Sequence, residues 1–275
     1  MAGTLYVVAT PLGNLGDLSP RAADTLKRVA VVAAEDTRHS KPLLHHAGSH
    51  AELISFHEHS SDRALERILR ILTDGRDVAF ITDAGTPVIS DPGVALVAGA
   101  RERGIQVVTI PGPTAVAASL SVSGIGGDRY LFLGFLPRKG SDRRRFLLTA
   151  ARSEWTVVIF EAPNRVTQLL ADLVEVCGPE RQAAVSRELT KVFEETRAGT
   201  LQELSEHYAE APVRGEVTVV LAGTGKERVA EPPPDPGERA KALLAEGLSR
   251  KDTAHRLAEE TGISRNAAYR LVSEL

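Results

Sequence analysis

Apolar runs of strand length, rich in valine and isoleucine, recur along the chain with amphipathic segments of helix length between them. That alternation is the pattern of a parallel or mostly parallel α/β sheet. Strands are predicted near Leu5–Ala9, Val29–Ala33, Leu53–Phe56, Val78–Thr82 and Gln106–Ile110. The helices between them start at Ser61 or Asp62, and at Ser19-Pro20 and Asp91-Pro92, where an oxygen-bearing cap precedes a proline whose missing amide costs nothing. Gly75 and Gly104 stand where such helices stop. A second series follows, with strands near Tyr130–Phe135, Thr156–Phe160, Ala183–Arg187, Phe193–Ala198 and Glu216–Leu221. Its helices lie near Arg143–Ala151, Arg165–Val176 and Leu201–Ala209. Some of these strands have little between them, so a mixed sheet is expected here.

The division predicted from these runs is an α/β domain over residues 1–121 and a second α/β domain over 122–225, hinged near the glycines of Val122–Asp128. Four prolines in the five positions 232–236 then mark a semi-rigid spacer, taken as residues 226–237. Residues 238–275 read as three short helices with a helix-turn-helix-like core of Leu248, Ala254, Leu257, Ile263, Ala268 and Leu271.

Composition narrows the class. With 43% hydrophobic and 25% charged residues the chain sits at the globular average, which argues against disorder, collagen and coiled coil. Lys and Arg number 33 against 36 Asp and Glu, a formal charge of −3, so a nucleic-acid partner would have to be met by a local basic patch. The single cysteine, Cys177, permits no internal disulfide and agrees with a reducing cytoplasm. No apolar stretch has membrane length and no basic flank precedes the first apolar run, so a cytoplasmic protein without a membrane partner is expected.

Three loops at predicted strand ends are dense in small residues. The first holds Pro11 and Leu12. The second runs from Asp83 through Gly85, Thr86, Val88 and Ser90 to Gly93, and the third holds Thr114 and Ala115. No G-x-G-x-x-G and no phosphate-binding loop is present, which removes support for ordinary dinucleotide and nucleoside-triphosphate binding. Small-residue loops on one rim let a ligand approach the backbone, and Asp83 suits ribose hydroxyls, so a cofactor shelf is expected.

Taken together, TPLGNLGDLSPRA, AAEDTR, TDAGTPVISDPG, PGPTA, FLGFLPRKG, RELTKVFEE and GEVTVVLAG resemble the ribosomal-RNA branch of the tetrapyrrole methylase family, in the family's order over residues 4–223. The resemblance implies two α/β domains with S-adenosylmethionine in the cleft between them, and a homodimer. It also implies 2′-O-methylation of a cytidine ribose in the decoding region of 16S ribosomal RNA, on free RNA or on the small ribosomal subunit. It carries the cofactor shelf onto Pro11, Leu12, Asp83 to Ser90, Thr114 and Ala115, with Phe135, Ala162 and Glu216 from the second domain.

Such a transfer needs in-line alignment and a group that removes the hydroxyl proton. The candidates are Glu35, Asp36 and Arg38 after the second strand, and Arg187, Glu188 and Lys191 in the second domain; a solvated ion-pair network is the alternative for each cluster. Glu188 or Lys191 is assigned to proton transfer and Arg187 to RNA phosphate. Arg138, Lys139, Arg143, Arg144 and Arg145 carry net +4 with Asp142 among them, and are assigned to RNA phosphates rather than to a solvated helix start. Six of eight histidines lie between His39 and His59, without a cysteine or a helical ligand pair, so no metal site is expected. Trp155 is expected to pack. A small-molecule methyltransferase, a ligand-sensing DNA-binding regulator and a non-catalytic RNA-binding protein are the rival readings.

Overall fold

Val31–Ala34 and Val78–Ile81 are buried at every position, on both faces. Strands so enclosed belong inside a parallel sheet covered by helices on both sides. In the computed structural model, which describes residues 2–210, 213–225, 236–261 and 264–275, they are the second and fourth strands of such a sheet. It comprises β1 (Thr4–Val8), β2 (Val31–Ala34), β3 (Glu52–Ser55), β4 (Val78–Ile81) and β5 (Gln106–Ile110), all parallel in the order β3-β2-β4-β1-β5. Period-two alternation divides the side chains: Val31, Ala33, Val78 and Phe80 enter one core, Val32, Ala34, Ala79 and Ile81 the other. The covering helices are α1 (Pro20–Arg28), α2 (Thr37–His46), α3 (Asp62–Thr73), α4 (Val94–Glu102) and α5 (Ala115–Val122).

The second sheet has the mixed character expected of it. Its strands β6 (Tyr130–Phe135), β7 (Thr156–Glu161), β8 (Gln182–Arg187), β9 (Glu195–Thr200) and β10 (Val217–Leu221) stand in the order β6-β7-β10-β8-β9. Only β6 and β7 run parallel, with a bulge between Phe132 and Gly134; the other pairs are antiparallel. Helices α6 (Gly140–Arg152), α7 (Val166–Cys177) and α8 (Leu201–Ala209) complete this half. Met1–Thr224 forms one compact unit. Gly225–Leu275 forms a second, in which α9 (Pro236–Ala245), α10 (Arg250–Thr261) and α11 (Arg265–Ser273) enclose Ala240, Leu243, Ala254, Leu257, Ala268 and Val272.

Several boundaries move from their expected places. Val29 caps the end of α1, so β2 starts two residues later than predicted. Asp91-Pro92 does not open α4: the N-cap is Gly93, at φ +123°, and a Cβ there would meet Phe80 Cε1 at 2.2 Å. β9 begins at Glu195 rather than Phe193, because turns closed by Lys191 N–H to Glu188 O and Glu194 N–H to Lys191 O occupy the preceding residues. Helix α2 is masked in the sequence by Pro42 in its interior, yet Asp36 caps it by accepting from the Arg38 amide at 2.8 Å. Trp155 does not pack; it is half-exposed. Helix α9 starts at Pro236, inside the expected spacer, whose residues 226–235 lie outside the described residues, as does Ile263 of the expected helical core. Among the described residues no helix is long and apolar enough to cross a membrane.

Candidate active site

Exit loops of the parallel sheet are stitched to one another before they meet any ligand. Thr10 and Gly85 exchange backbone hydrogen bonds at 2.9 and 3.1 Å, which ties the loop after β1 to the loop after β4. The Thr86 hydroxyl donates to Pro113 O at 3.1 Å and adds the loop after β5. Gly85 sits at φ +80°, where a side chain would be strained and its Cβ would meet Leu12 at 3.4 Å. The result is a rigid ledge of small residues at the carboxyl ends of the strands, where open α/β sheets bind ligands.

Above this ledge lies a cavity of about 380 Å³. Of the expected shelf, Leu12, Asp83, Gly85, Thr86 and Ser90 line it from the β1 and β4 loops, and Thr114 and Ala115 from the start of α5. The second sheet contributes Phe135, Ala162 and Glu216. Pro11 and Val88 are not brought to it: Pro11 is buried away from the lining, and Val88, at φ +77°, packs against the core under the loop. Phe135 is exposed at its lip and meets Phe160 edge-to-face at 5.6 Å.

In the two charged clusters, Asp36, Arg38, Arg187, Glu188 and Lys191 are tied to charged partners, and Glu35, among the described residues, is not. Asp36 and Arg38 form a bidentate pair at 2.7 and 3.1 Å, and those hydrogen bonds hold the Asp36 carboxyl far below its usual range. Arg187 is paired with Glu195. The Lys191 ammonium lies 3.0 Å from both Glu188 and Glu216; burial works to lower it, but the two carboxylates leave it above its ordinary range. That same ammonium depresses Glu188. The methylenes of Lys191 also cover Gly13, whose Cβ would fall 2.4 Å from Cγ, so Lys191 spans the loop after β1 and the second sheet.

The predicted Glu35 and, beyond the two clusters, Asp91 hold a proton more readily. Burial and the nearby Asp83 raise Glu35, which lines the cavity. Asp91, also in the wall, is pushed up to about 6 by burial first and then by the charges of Glu35, Asp83 and Glu216. In the sequence Asp91 has the look of a helix start, which conceals this role. Glu161 is equally inconspicuous there: it is fully buried in the wall, accepts from the Ala162 amide at 2.9 Å and pairs with Arg165 at 3.2 Å. A carboxylate at the end of the apolar run of β7, four residues before an arginine, is the one signal that could have found it.

Arg143 corrects the reading of the basic run. It is buried, donates to Asp172 at 2.8 Å and to Pro137 O at 3.1 Å, and therefore cannot reach an RNA phosphate. Arg138, Lys139, Arg144 and Arg145 are exposed. Among the described residues no cluster of His, Cys, Asp and Glu is placed to hold a metal.

The halves of the unit touch at Ser90 and Gly134. Gly134 sits at φ +62° on the β6 bulge, and a Cβ there would stand 2.8 Å from Ser90 Oγ. Gly134→Ala is expected to cost about 1–2 kcal/mol for the left-handed backbone and to push Ser90 aside, weakening cofactor binding. Calorimetric titration checks the second effect; unchanged affinity would detach Ser90 from the shelf.

The profile of the tetrapyrrole (corrin/porphyrin) methylases matches residues 4–205. The chain is 43% identical to the ribosomal RNA small subunit methyltransferase I of Synechocystis over 99% of this chain and 98% of that one. It is 45% identical to the protein of that name from Xylella fastidiosa strain Temecula1 over 97% and 98%. Among solved structures it is similar in fold to the methyltransferase CobJ (TM-score 0.63, 17% identity, 83% of this chain and 97% of that one). It is likewise similar to uroporphyrin-III C-methyltransferase from Thermus thermophilus complexed with S-adenosylhomocysteine (TM-score 0.60, 20% identity, 80% and 97%).

Proposed function

We propose, on the premise that this chain belongs to the tetrapyrrole (corrin/porphyrin) methylase family, that it transfers a methyl group from S-adenosylmethionine to the 2′-oxygen of a cytidine in the 16S RNA of the small ribosomal subunit. The observation that carries the reading is the near end-to-end identity of 43–45% with methyltransferases named for small-subunit ribosomal RNA. The cavity fits the cofactor: a small-residue ledge at Gly85 for close approach, an apolar floor at Leu12, and carboxylates at Asp83 and Glu216 for ribose hydroxyls and cationic groups.

S-adenosylmethionine, when bound, supplies an electrophilic methyl group on a sulfonium sulfur. The protein's part is alignment and proton removal. With the cofactor bound, the ribose oxygen would accept its methyl group, with the sulfonium leaving as the thioether, and a carboxylate of this chain would take the hydroxyl proton. Asp91 suits that role, since a base titrating near 6 is charged at neutral pH yet still basic. Asp36 and Glu188 are tied to cations, and we assign them to the frame. The domain division proposed is 1–121, 122–225 and 238–275, supported by the two sheets and the separate helical core. A cytoplasmic homodimer completes the reading; sedimentation at the mass of one chain would remove the dimer.

Labelled S-adenosylmethionine and small subunits from a strain lacking this protein test the function, with nucleoside digestion and mass spectrometry. The expected product is 2′-O-methylcytidine; no product, or another methylated nucleoside, rejects the reading. Arg144→Ala with Arg145→Ala is expected to weaken RNA binding and to flatten its salt dependence, the slope falling by about 0.7 for each single-strand phosphate that is no longer neutralised. An unaltered slope returns both residues to solvent.

A further inference from the structure

Helix α11 buries one stripe and leaves another bare. Ala268 and Val272 belong to the core shared with α9 and α10, with Leu271 packed against it. Asn266, Tyr269, Arg270 and Ser273, spaced at three and four residues, form the outer stripe, and all are exposed. Nothing in the packing of the three helices requires an aromatic ring there. Tyr269 is 42% exposed, and among the described residues neither another ring nor a guanidinium packs on it. The Ser273 hydroxyl donates to Tyr269 O at 2.7 Å, which leaves the stripe to an amide, a phenol ring and a guanidinium.

The charge of this helix has one sign. Its sequence holds two arginines and no acidic residue. Elsewhere in the unit cations meet carboxylates: Lys241 lies 2.9 Å from Glu238, and Arg239 stands 3.5 Å from Glu246. Glu274, the first acid after the stripe, meets Arg270 through the backbone, its N–H donating to Arg270 O at 3.2 Å. The stripe therefore offers positive charge to a polyanion, and its other groups narrow the choice to RNA. A guanidinium neutralises a phosphate, an exposed ring gives any base a face to stack on, and the Asn266 amide carries both a donor and an acceptor for a base edge. An A-form helix hides its base edges in a deep, narrow groove, whereas unpaired nucleotides present faces and edges alike. One aromatic ring in a polar stripe also falls short of the contiguous apolar core that a protein partner covers.

We propose that the outer stripe of α11 docks an unpaired segment of the RNA, with a base stacked on Tyr269, a base edge on Asn266 and an adjoining phosphate on Arg270. The assignment rests on the RNA methyl-transfer reading and gives the C-terminal unit a part in it. That part is a second hold on the substrate, carried by a unit that lacks the cofactor ledge. Two linked contacts reinforce each other through effective concentration, so a stripe of this size contributes even where it binds weakly by itself.

The full-length protein, saturated with S-adenosylhomocysteine, is titrated into a fluorescently labelled single-stranded oligoribonucleotide and, separately, into an RNA duplex of the same length. Wild type is expected to prefer the single strand. Tyr269→Ala is expected to weaken that binding about 10-fold while Tyr269→Phe keeps it, and Arg270→Gln to lower the salt slope by about 0.7. Both positions are exposed, so the melting temperatures of the variants should stay with that of wild type. In methyl transfer to small subunits Tyr269→Ala is expected to raise KM about 10-fold. No binding by wild type, equal binding by Tyr269→Ala, or a preference for duplex overturns the proposal. Loss in Tyr269→Phe as large as in Tyr269→Ala overturns the stacking. Variants that bind the oligoribonucleotide as wild type does but no longer hold intact subunits would assign the stripe to a ribosomal protein, which also overturns it. If small subunits gain 2′-O-methylcytidine and Tyr269→Ala matches wild type in KM and in RNA binding, the proposed function stands and the docking stripe falls. If single-strand binding depends on Tyr269 and no transfer occurs, the stripe stands and the proposed function falls.

Discussion

Arg143→Ala is expected to cost about 3–5 kcal/mol of stability, roughly 6–20 °C in melting temperature for a unit of this size. The Arg143 side chain is only 9% exposed. Its guanidinium holds Asp172 at 2.7 and 2.8 Å, donates to Pro137 O, and stands 3.8 Å from the Glu161 oxygen that has no hydrogen bond of its own. Truncation leaves the fully buried Glu161 carboxylate to Arg165 and the Ala162 amide, and Pro137 O with only the longer 3.4 Å bond from Arg165. An unpaired buried charge is far costlier than a well-made pair is favourable. Function should suffer as well, because Arg143 and Arg165 together tether Leu136 and Pro137, the residues that follow Phe135 at the cavity lip. Arg144→Ala, one position along the same helix but exposed, is expected to stay within about 0.5 kcal/mol. Thermal melts of the two variants decide the matter: a shift under about 2 °C for Arg143→Ala would return it to the surface run with Arg144.

The contrast between Arg143 and Arg144 shows where the sequence was legible. Five basic residues in eight read as one patch because charge was counted along the chain. Counted around a helix, Arg143 shares a stripe with Leu147 and Ala150, the buried face of α6, while Arg144 and Arg145 lie off it. The strand order could be anticipated only as parallel or mixed, whereas the exit loops were found almost residue by residue. Glycine and proline advertise backbone that must turn sharply or be approached closely. Val88 was misplaced because a one-residue left-handed turn swings its side chain from the cavity to the core, and nothing in T-P-V-I-S announces a valine at positive φ. Helix α2 was lost to Pro42, since local propensity is overruled when a cap and a buried face hold the helix together. Charged clusters were the least legible of all. Asp36 and Glu188 looked reactive by residue type, yet their partners settle them as ionised; Asp91 looked like a cap, yet burial keeps its proton near neutrality.

Asp91→Asn is expected to reduce methyl transfer to small subunits by about 10²–10⁴-fold, while S-adenosylhomocysteine binds as before. A purely structural role would also lower activity, so stability against pH supplies the separating measurement. The folded-state pKa of Asp91, about 6, lies above the ordinary 3.8, with Glu35, Asp83 and Glu216 facing it and Thr82 near it. A carboxyl raised on folding is proton-linked to the folded state: its contribution to stability is complete below about pH 4 and is lost as pH rises through 6. Above pH 6 the wild-type protein therefore holds a desolvated charge among like charges, and the asparagine does not. The melting temperature of Asp91→Asn relative to wild type should climb between pH 4 and pH 8 even as activity is lost. That opposition is the mark of a residue retained for chemistry at the expense of stability. The pH profile of the wild type adds a second reading: turnover limited by a basic Asp91 falls as pH drops through about 6, whereas the asparagine variant's residual rate loses that limb. A variant that melts lower than wild type by the same amount at both pH values, and keeps the wild-type profile, would make Asp91 a scaffold residue and pass the proton to Glu35, the other raised carboxylate in the cavity wall.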